Sequence, residues 1–290
     1  MKPFDYMLPK DLAEACSVAA ENATTSRLLS GGTDLTVGLR HCAIETDLVI
    51  DLKQVAELRS DISEVDGVMR VSAGTTMTAL EAYLDGRGVF PALRDAASVV
   101  GSIQIRNRAT LAGNICNASP AADTVPVLAA YGAEVEIHGL QGMRTRLVAD
   151  FIEGNRQIDL SPGEIVTAVR IPLPQGQHGC AFDRITRRRG VDLATTNMCM
   201  NIDDAGQVTV TFGAVSPRPL VLRDETNVLG NVKAAASERT AAIMHLAAQA
   251  TPISDVRAQA DYRSAMLCVM AERSLATAHA RRAGGGSSDA

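Results

Sequence analysis

The chain predicts an α+β protein of three units, and three observations predict it. Stretches with strand and helix patterns follow one another without an internal repeat. A Pro- and Gly-rich linker, PLPQGQHG at 172–179, separates a first part of mixed order from a last part in which strands precede helices. The length of 290 residues accommodates two or three compact units, each with its own core.

The elements follow in order. Pro9 and the following DLAEACSVAAENA predict a helix with Leu12, Ala15, Val18 and Ala19 on one face. RLLS at 27–30 predicts a short strand, and DLVIDLK at 47–53 a strand rich in β-branched and aliphatic residues. These make a small β/α unit over 1–58. The second unit, 59–175, begins with the strand VMRVSAG at 68–74. Thr75-Thr76 then caps a helix whose apolar face carries Met77, Leu80, Tyr83 and Leu84. A loop rich in Gly and Asn follows, then an apolar helical stretch from Thr124 to Tyr131. AEVEIH at 133–138 alternates as a strand, Pro162-Gly163 is a turn, and EIVTAVRIP at 164–172 is a further strand. The third unit, 176–283, holds strands at about 180–186, 193–202 and 207–214, the last two joined by Asp203-Asp204-Ala205-Gly206. Two helical stretches, KAAASERTAAIMHLAAQA and DYRSAMLCVMAERSLATAHARR, complete it. GGGSSDA, residues 284–290, reads as a disordered tail.

Composition removes several function classes. Hydrophobic residues at 46% and charged residues at 21% fit a soluble globular protein. No apolar run reaches the roughly 18 residues that span a bilayer, and the N-terminus lacks the apolar core of a secretory signal. A cytoplasmic protein is expected. The net charge of -5 argues against general nucleic-acid binding. The six cysteines are scattered with no C-x-x-C, so no metal or iron–sulfur centre held by this chain alone is expected. With no Trp and 3% aromatics, any flat cofactor ring would rest on aliphatic side chains and backbone.

Two small-residue loops carry the chemistry. The first is Leu28-Leu29-Ser30-Gly31-Gly32-Thr33-Asp34-Leu35. It lacks G-x-G-x-x-G, which disfavours a Rossmann site. Gly31 and Gly32 permit close approach, the N–H groups of Gly32 through Leu35 are available to a phosphate, and the Thr33 hydroxyl adds a donor. Asp34 carries the wrong charge for a phosphate and is expected to cap the turn. Taken alone, this loop leaves an ordinary strand-to-helix turn equally open. The second is VGSIQIRNRATLAGNICNASPAADTVP, from Val100 through Pro126. Thr110-Leu111-Ala112-Gly113-Asn114 offers donors, and Asp123 suits a ribose or ribityl hydroxyl. Gln104, Arg106, Asn107 and Arg108 read as a solvated or subunit-facing patch. A purely structural loop is the alternative. Two such loops together imply a ligand longer than one phosphate, such as the diphosphate of a dinucleotide.

A third cluster, FDRITRRRGVDLATTN at 182–197, holds Arg184, Arg187, Arg188 and Arg189. Alternation places Arg184 and Thr186 on one strand face, where a cation could stabilise negative charge on a reduced flavin; a basic surface strand end is the plainer reading. The five histidines show no metal-ligand spacing, and no hydrolase or NTPase motif is present.

SGGTDL, the long middle motif and RITRRRGVDLA together resemble the FAD-binding subunit of the molybdenum hydroxylases, the family of xanthine, carbon monoxide and nicotinate dehydrogenases. The resemblance spans nearly the whole chain. It implies two α+β FAD-binding domains of the vanillyl-alcohol-oxidase/PCMH type, followed by a C-terminal domain of a small antiparallel sheet with helices. By the same resemblance, Leu28 through Leu35 hold the FAD diphosphate, and Thr110, Leu111, Gly113, Asn114 and Asp123 belong to the FAD site. Ser102 and Ile103 lie near the ring system, Ile165 near the adenine, and Arg184 near the flavin. Three departures stand out: Ser30 replaces the usual Ala, Ala112-Gly113 replaces Gly-Gly, and Arg184 replaces a residue that is often Lys. Ala112 is tolerable only with negative φ.

The resemblance also implies a division of labour. A large molybdopterin subunit oxidises substrate, a small subunit with two [2Fe–2S] clusters relays electrons, and this chain passes them through FAD to NAD⁺, O₂ or another acceptor. A heterotrimer, often paired into a dimer of heterotrimers, is expected. Two other readings stay open: a standalone FAD-dependent oxidoreductase of the vanillyl-alcohol-oxidase type, and a scaffold that has lost its cofactor.

Overall fold

A computed structural model describes residues 1–284; apart from Gly284, the expected tail lies outside the described residues. The chain opens with β1 (Asp5–Met7), α1 (Leu12–Glu21), β2 (Ser26–Leu29), α2 (Leu35–Arg40) and β3 (Leu48–Asp51). Asp11 caps α1 by accepting from the Glu14 N–H, and Leu12, Ala15, Cys16 and Ala19 form its buried stripe. The three strands form a parallel sheet in the order β1-β3-β2. Central β3 buries Val49 and Ile50, as a strand covered on both faces must. The carboxyl ends of Leu29 and Asp51 lie side by side, and the first Gly loop leaves from that edge.

The second part runs through β4 (Ile62–Val65), β5 (Val68–Ser72), α3 (Met77–Leu84), α4 (Pro91–Ser98), α5 (Ile103–Arg106), α6 (Leu111–Cys116) and α7 (Thr124–Ala130). It continues through β6 (Glu134–Gly139), β7 (Gly142–Leu147), α8 (Val148–Phe151), β8 (Ile152–Gly154), β9 (Gln157–Ile158) and β10 (Ile165–Pro172). Five of these strands make an antiparallel sheet, β4-β5-β10-β6-β7. Central β10 is buried nearly end to end, and Ile165 sits in it opposite His138, inside the core. Thr76 accepts from the Ala79 N–H and caps α3, whose Met77, Leu80 and Leu84 are fully buried.

The Gly/Asn-rich stretch expected as one loop is instead a run of short helices. Ser102 and Thr110 accept from the Ile105 and Gly113 N–H groups, so polar residues that read as loop are N-caps of α5 and α6. Ala112 lies inside α6 and is absent from the positive-φ residues, which removes the objection to its methyl group.

The last part contains β11 (Gly179–Ile185), β12 (Thr196–Ile202), β13 (Val208–Gly213), β14 (Leu220–Arg223), α9 (Ala236–Ala247) and α10 (Ala260–Arg282). The strands form an antiparallel meander in chain order. One face packs Met198, Met200, Val210 and Phe212 against α9 and α10. The opposite face turns Cys180 and Cys199 into the core that holds α4 and α7. The sheet is thus covered on both sides, and β12 is buried nearly end to end. Arg263 of α10 is buried and spans this layer, donating to the Thr195 and Ala214 carbonyls and to Asp255. Among the described residues, no helix is long and apolar enough to cross a membrane.

Candidate functional site

The two Gly loops meet. Ser30 Oγ and Thr110 Oγ1 are 3.2 Å apart, and Thr110 also caps α6 through the Gly113 N–H at 3.0 Å. Thr110 is held from the other side as well, since Met77 N–H donates to the Ala109 carbonyl and Leu111 N–H to that of Thr75. A Cβ on Gly31 would lie 2.1 Å from the Arg108 carbonyl oxygen, so only Gly lets the first loop lie against the second. Gly32 supplies the positive φ, 77°, that turns β2 into α2. Replacing Thr110 by Val keeps the shape, removes the cap and orphans the Gly113 N–H. It is expected to lower the unfolding free energy by about 1–2 kcal/mol, read as a lower urea midpoint at unchanged slope.

The first loop keeps its donors free. Among the described residues, the backbone N–H groups of Gly31, Gly32, Thr33, Asp34 and Leu35 and the Thr33 hydroxyl make no hydrogen bond within the chain. Such a set of donors at a turn into a helix suits an anion with several oxygens. Asp34 does not cap the turn as expected. Its backbone is helical, its side chain makes no cap bond, and its carboxylate is drawn off instead by Asn117 and Arg156. Leu28 and Leu29 stand at the end of β2, half-buried beneath the loop.

Asn114 and Asp123 continue the site. Thr124 Oγ1 donates to Asn114 Oδ1 at 2.7 Å, fixing that amide at the start of α7. Asp123 is buried and accepts from Arg184 Nη1 at 2.8 Å and from Asn197 Nδ2 at 3.0 Å. The carboxylate expected to take a sugar hydroxyl and the cation expected at the flavin are therefore paired with each other. Burial pushes the Asp123 carboxyl above the usual carboxylate range, opposed by the Arg184 charge and by both hydrogen bonds. Asn197 is a residue the sequence reading missed. A polar side chain flanking the apolar Met198-Cys199-Met200 within a strand was its signal.

Other expected residues lie more loosely. Ser102 caps α5, and its neighbour Ile103 is 59% exposed beside Ile105, leaving an uncovered apolar surface suited to a flat ring. Leu111 opens α6 and is fully buried. Ile165 lies in the central strand of the five-stranded sheet and joins none of these contacts. Within the Gln104–Arg108 patch, Arg106 lies 3.5 Å from Glu81 and Asn107 accepts from Thr78. Beyond Arg184, a cleft of about 430 Å³ opens among Ile185, Arg187, Thr195, Arg257 and Tyr262. None of the expected cofactor residues lines it.

Residues 2–174 match the family model described as the FAD binding domain in molybdopterin dehydrogenase, and residues 181–278 match the CO dehydrogenase flavoprotein C-terminal domain. The chain belongs to this family of FAD-binding flavoproteins. It is 29% identical to the carbon monoxide dehydrogenase medium chain of Afipia carboxidovorans, over 96% of this chain and 97% of that one. It is 31% identical to the nicotinate dehydrogenase FAD-subunit of Eubacterium barkeri, over 79% of this chain and 80% of that one. Its fold superposes on the reconstituted CO dehydrogenase from Oligotropha carboxidovorans with a TM-score of 0.88 at 28% identity, covering 97% and 99% of the two chains. This flavoprotein is accordingly a subunit of a xanthine dehydrogenase-type oxidoreductase, a mixed α/β chain with antiparallel sheets, as its motifs implied.

Proposed function

We propose that this flavoprotein is the electron-exit subunit of a multi-subunit molybdenum hydroxylase. It accepts electrons from [2Fe–2S] clusters on a small partner, and a large partner carrying molybdopterin oxidises the organic substrate. NAD⁺, O₂ or another external acceptor receives the electrons. The observation that carries this reading is the junction of the two Gly loops at Ser30 and Thr110, with the N–H groups of Gly31 through Leu35 free beside it. FAD, when bound, supplies the chemistry that connects one-electron and two-electron carriers.

The chain's own residues bind and orient. The N–H groups and Thr33 hydroxyl of the first loop receive the diphosphate, while Thr110, Leu111, Gly113 and Asn114 form the facing wall. Ser102 and Ile103 sit beneath the ring system, and Ile165 backs the adenine from the core. The buried Asp123–Arg184 pair sets a fixed dipole at the flavin end of the site. In this reading, residues 1–58 and 59–175 are the two α+β domains of the vanillyl-alcohol-oxidase/PCMH type, and 176–283 the C-terminal domain. The complex is a cytoplasmic heterotrimer that pairs into a dimer of heterotrimers.

Mild purification from the native host tests the proposal. FAD released on denaturation, together with two co-purifying chains, iron and molybdenum, is the expected result. FAD on a solitary chain with neither metal would overturn it.

A further inference from the structure

The first loop places a carboxylate where it is least wanted. Asp34 opens α2 beside the N–H groups that receive the diphosphate in the reading above, and a negative charge there repels that ligand. Two side chains engage it. Asn117 Nδ2 donates to Asp34 Oδ2 at 3.1 Å, and Arg156 Nη2 lies 3.5 Å from Asp34 Oδ1. Arg156 Nη1 in turn donates to Asn117 Oδ1, closing a ring of three side chains.

Arg156 comes from the turn between β8 and β9, far along the chain from both loops. Its N–H donates to the Ala118 carbonyl at 3.0 Å. Arg156 and Ala118 both adopt left-handed backbone, with φ of 61° and 45°, a conformation that side-chain-bearing residues hold only where their surroundings impose it. The ion pair itself is open to solvent, with side chains 56% and 60% exposed, so it contributes little to stability. A strained turn that delivers a cation to a weak surface pair points to a purpose other than folding.

We infer that Arg156 is a positioning residue for the cofactor. It neutralises Asp34 and, with Asn117, ties that carboxylate to the second segment, leaving the N–H groups of Gly31 through Leu35 to the diphosphate. The inference rests on the FAD reading of the loops and adds a residue that lies outside both motifs.

The test is titration of the full-length apoprotein with FAD, followed by flavin fluorescence, with Tm recorded for each variant. Arg156→Ala raises the Kd about fivefold at low ionic strength, the effect of one uncompensated charge across partly solvated space. The loss shrinks at about 0.5 M NaCl, where screening shortens the reach of that charge to a few ångströms. Asp34→Asn in the Arg156→Ala chain restores binding, and Arg156→Lys retains most of it. An unchanged Kd in Arg156→Ala, or a loss that neither salt nor Asp34→Asn relieves, overturns the inference. A wild-type chain that binds no FAD overturns the underlying reading instead, and a fall in Tm that parallels the loss of binding marks Arg156 as merely structural and also overturns the inference.

Discussion

Replacing Gly31 by Ala is expected to strip the flavoprotein of most of its FAD. The new Cβ would stand 2.1 Å from the Arg108 carbonyl oxygen and 3.0 Å from the Ala109 Cα, and both neighbours are backbone. No rotamer change relieves such a clash, so the two loops must part by about an ångström. Overpacking of this kind costs about 1–3 kcal/mol in stability, and more where backbone must move. The functional loss is larger than the stability loss. Parting the loops breaks the Ser30–Thr110 contact and separates the free donors of the first segment from the wall formed by α6. Ser30→Ala provides the comparison, because it removes one hydroxyl contact while Thr110 stays bonded to the Gly113 N–H. Flavin absorbance per chain after gel filtration reads the result. Wild-type occupancy in Gly31→Ala would show that the loops do not have to touch.

Removing the Arg184 charge carries the second large effect. Asp123 is 7% exposed and has two partners, Arg184 and Asn197. Arg184→Leu leaves a buried carboxylate with one neutral donor, a change that costs about 3–5 kcal/mol at neutral pH. The pH dependence has a definite sign. Burial already raises the folded-state pKa of Asp123, and loss of the opposing arginine raises it further. The folded state then binds a proton that the unfolded state releases, so the variant gains stability as pH falls through the raised folded pKa and is weakest above it. Denaturant melts at pH 7 and pH 5 should show the deficit narrowing at the lower value. Adding Asp123→Asn should remove most of the pH dependence, because an amide has no proton to gain. A deficit that stays constant across this range would mean that Arg184 acts through packing of its aliphatic stem rather than its charge.

Much of the fold was legible because its signals are local. The stripe of α1, the cap at Thr76, the strands of 68–72 and 165–172, and the first three strands of the last sheet each follow from periodicity or turn chemistry within a dozen residues. The elements that escaped are mostly short or on edges: the strands β1, β4, β7, β14 and the β8–β9 hairpin, and the helices α2, α4, α5, α6 and α8. An edge strand such as β7, with most residues exposed, presents no apolar alternation to read. The Asp66-Gly67 turn between β4 and β5, with φ of 51° and 75° at its two residues, is a hairpin signal of the Asp-Gly type.

By itself, the sequence determined that this chain is a flavoprotein of the molybdenum hydroxylase type and singled out two segments as candidates to hold the cofactor. Those readings lie in contiguous motifs, where residue type and spacing act along the chain. Only the tertiary structure decided how the segments cooperate: Gly31 against Arg108, Ser30 against Thr110, Asp123 with Arg184 and Asn197, and Asp34 with Asn117 and Arg156. Each pairing joins residues from separate elements. An exposed arginine in a turn looks like any surface charge until the fold sets a carboxylate beside it, and a buried Asp declares its partner only once the strand carrying the arginine is packed against it. Propensity and pattern act along the chain, whereas charge compensation and close backbone approach act across it.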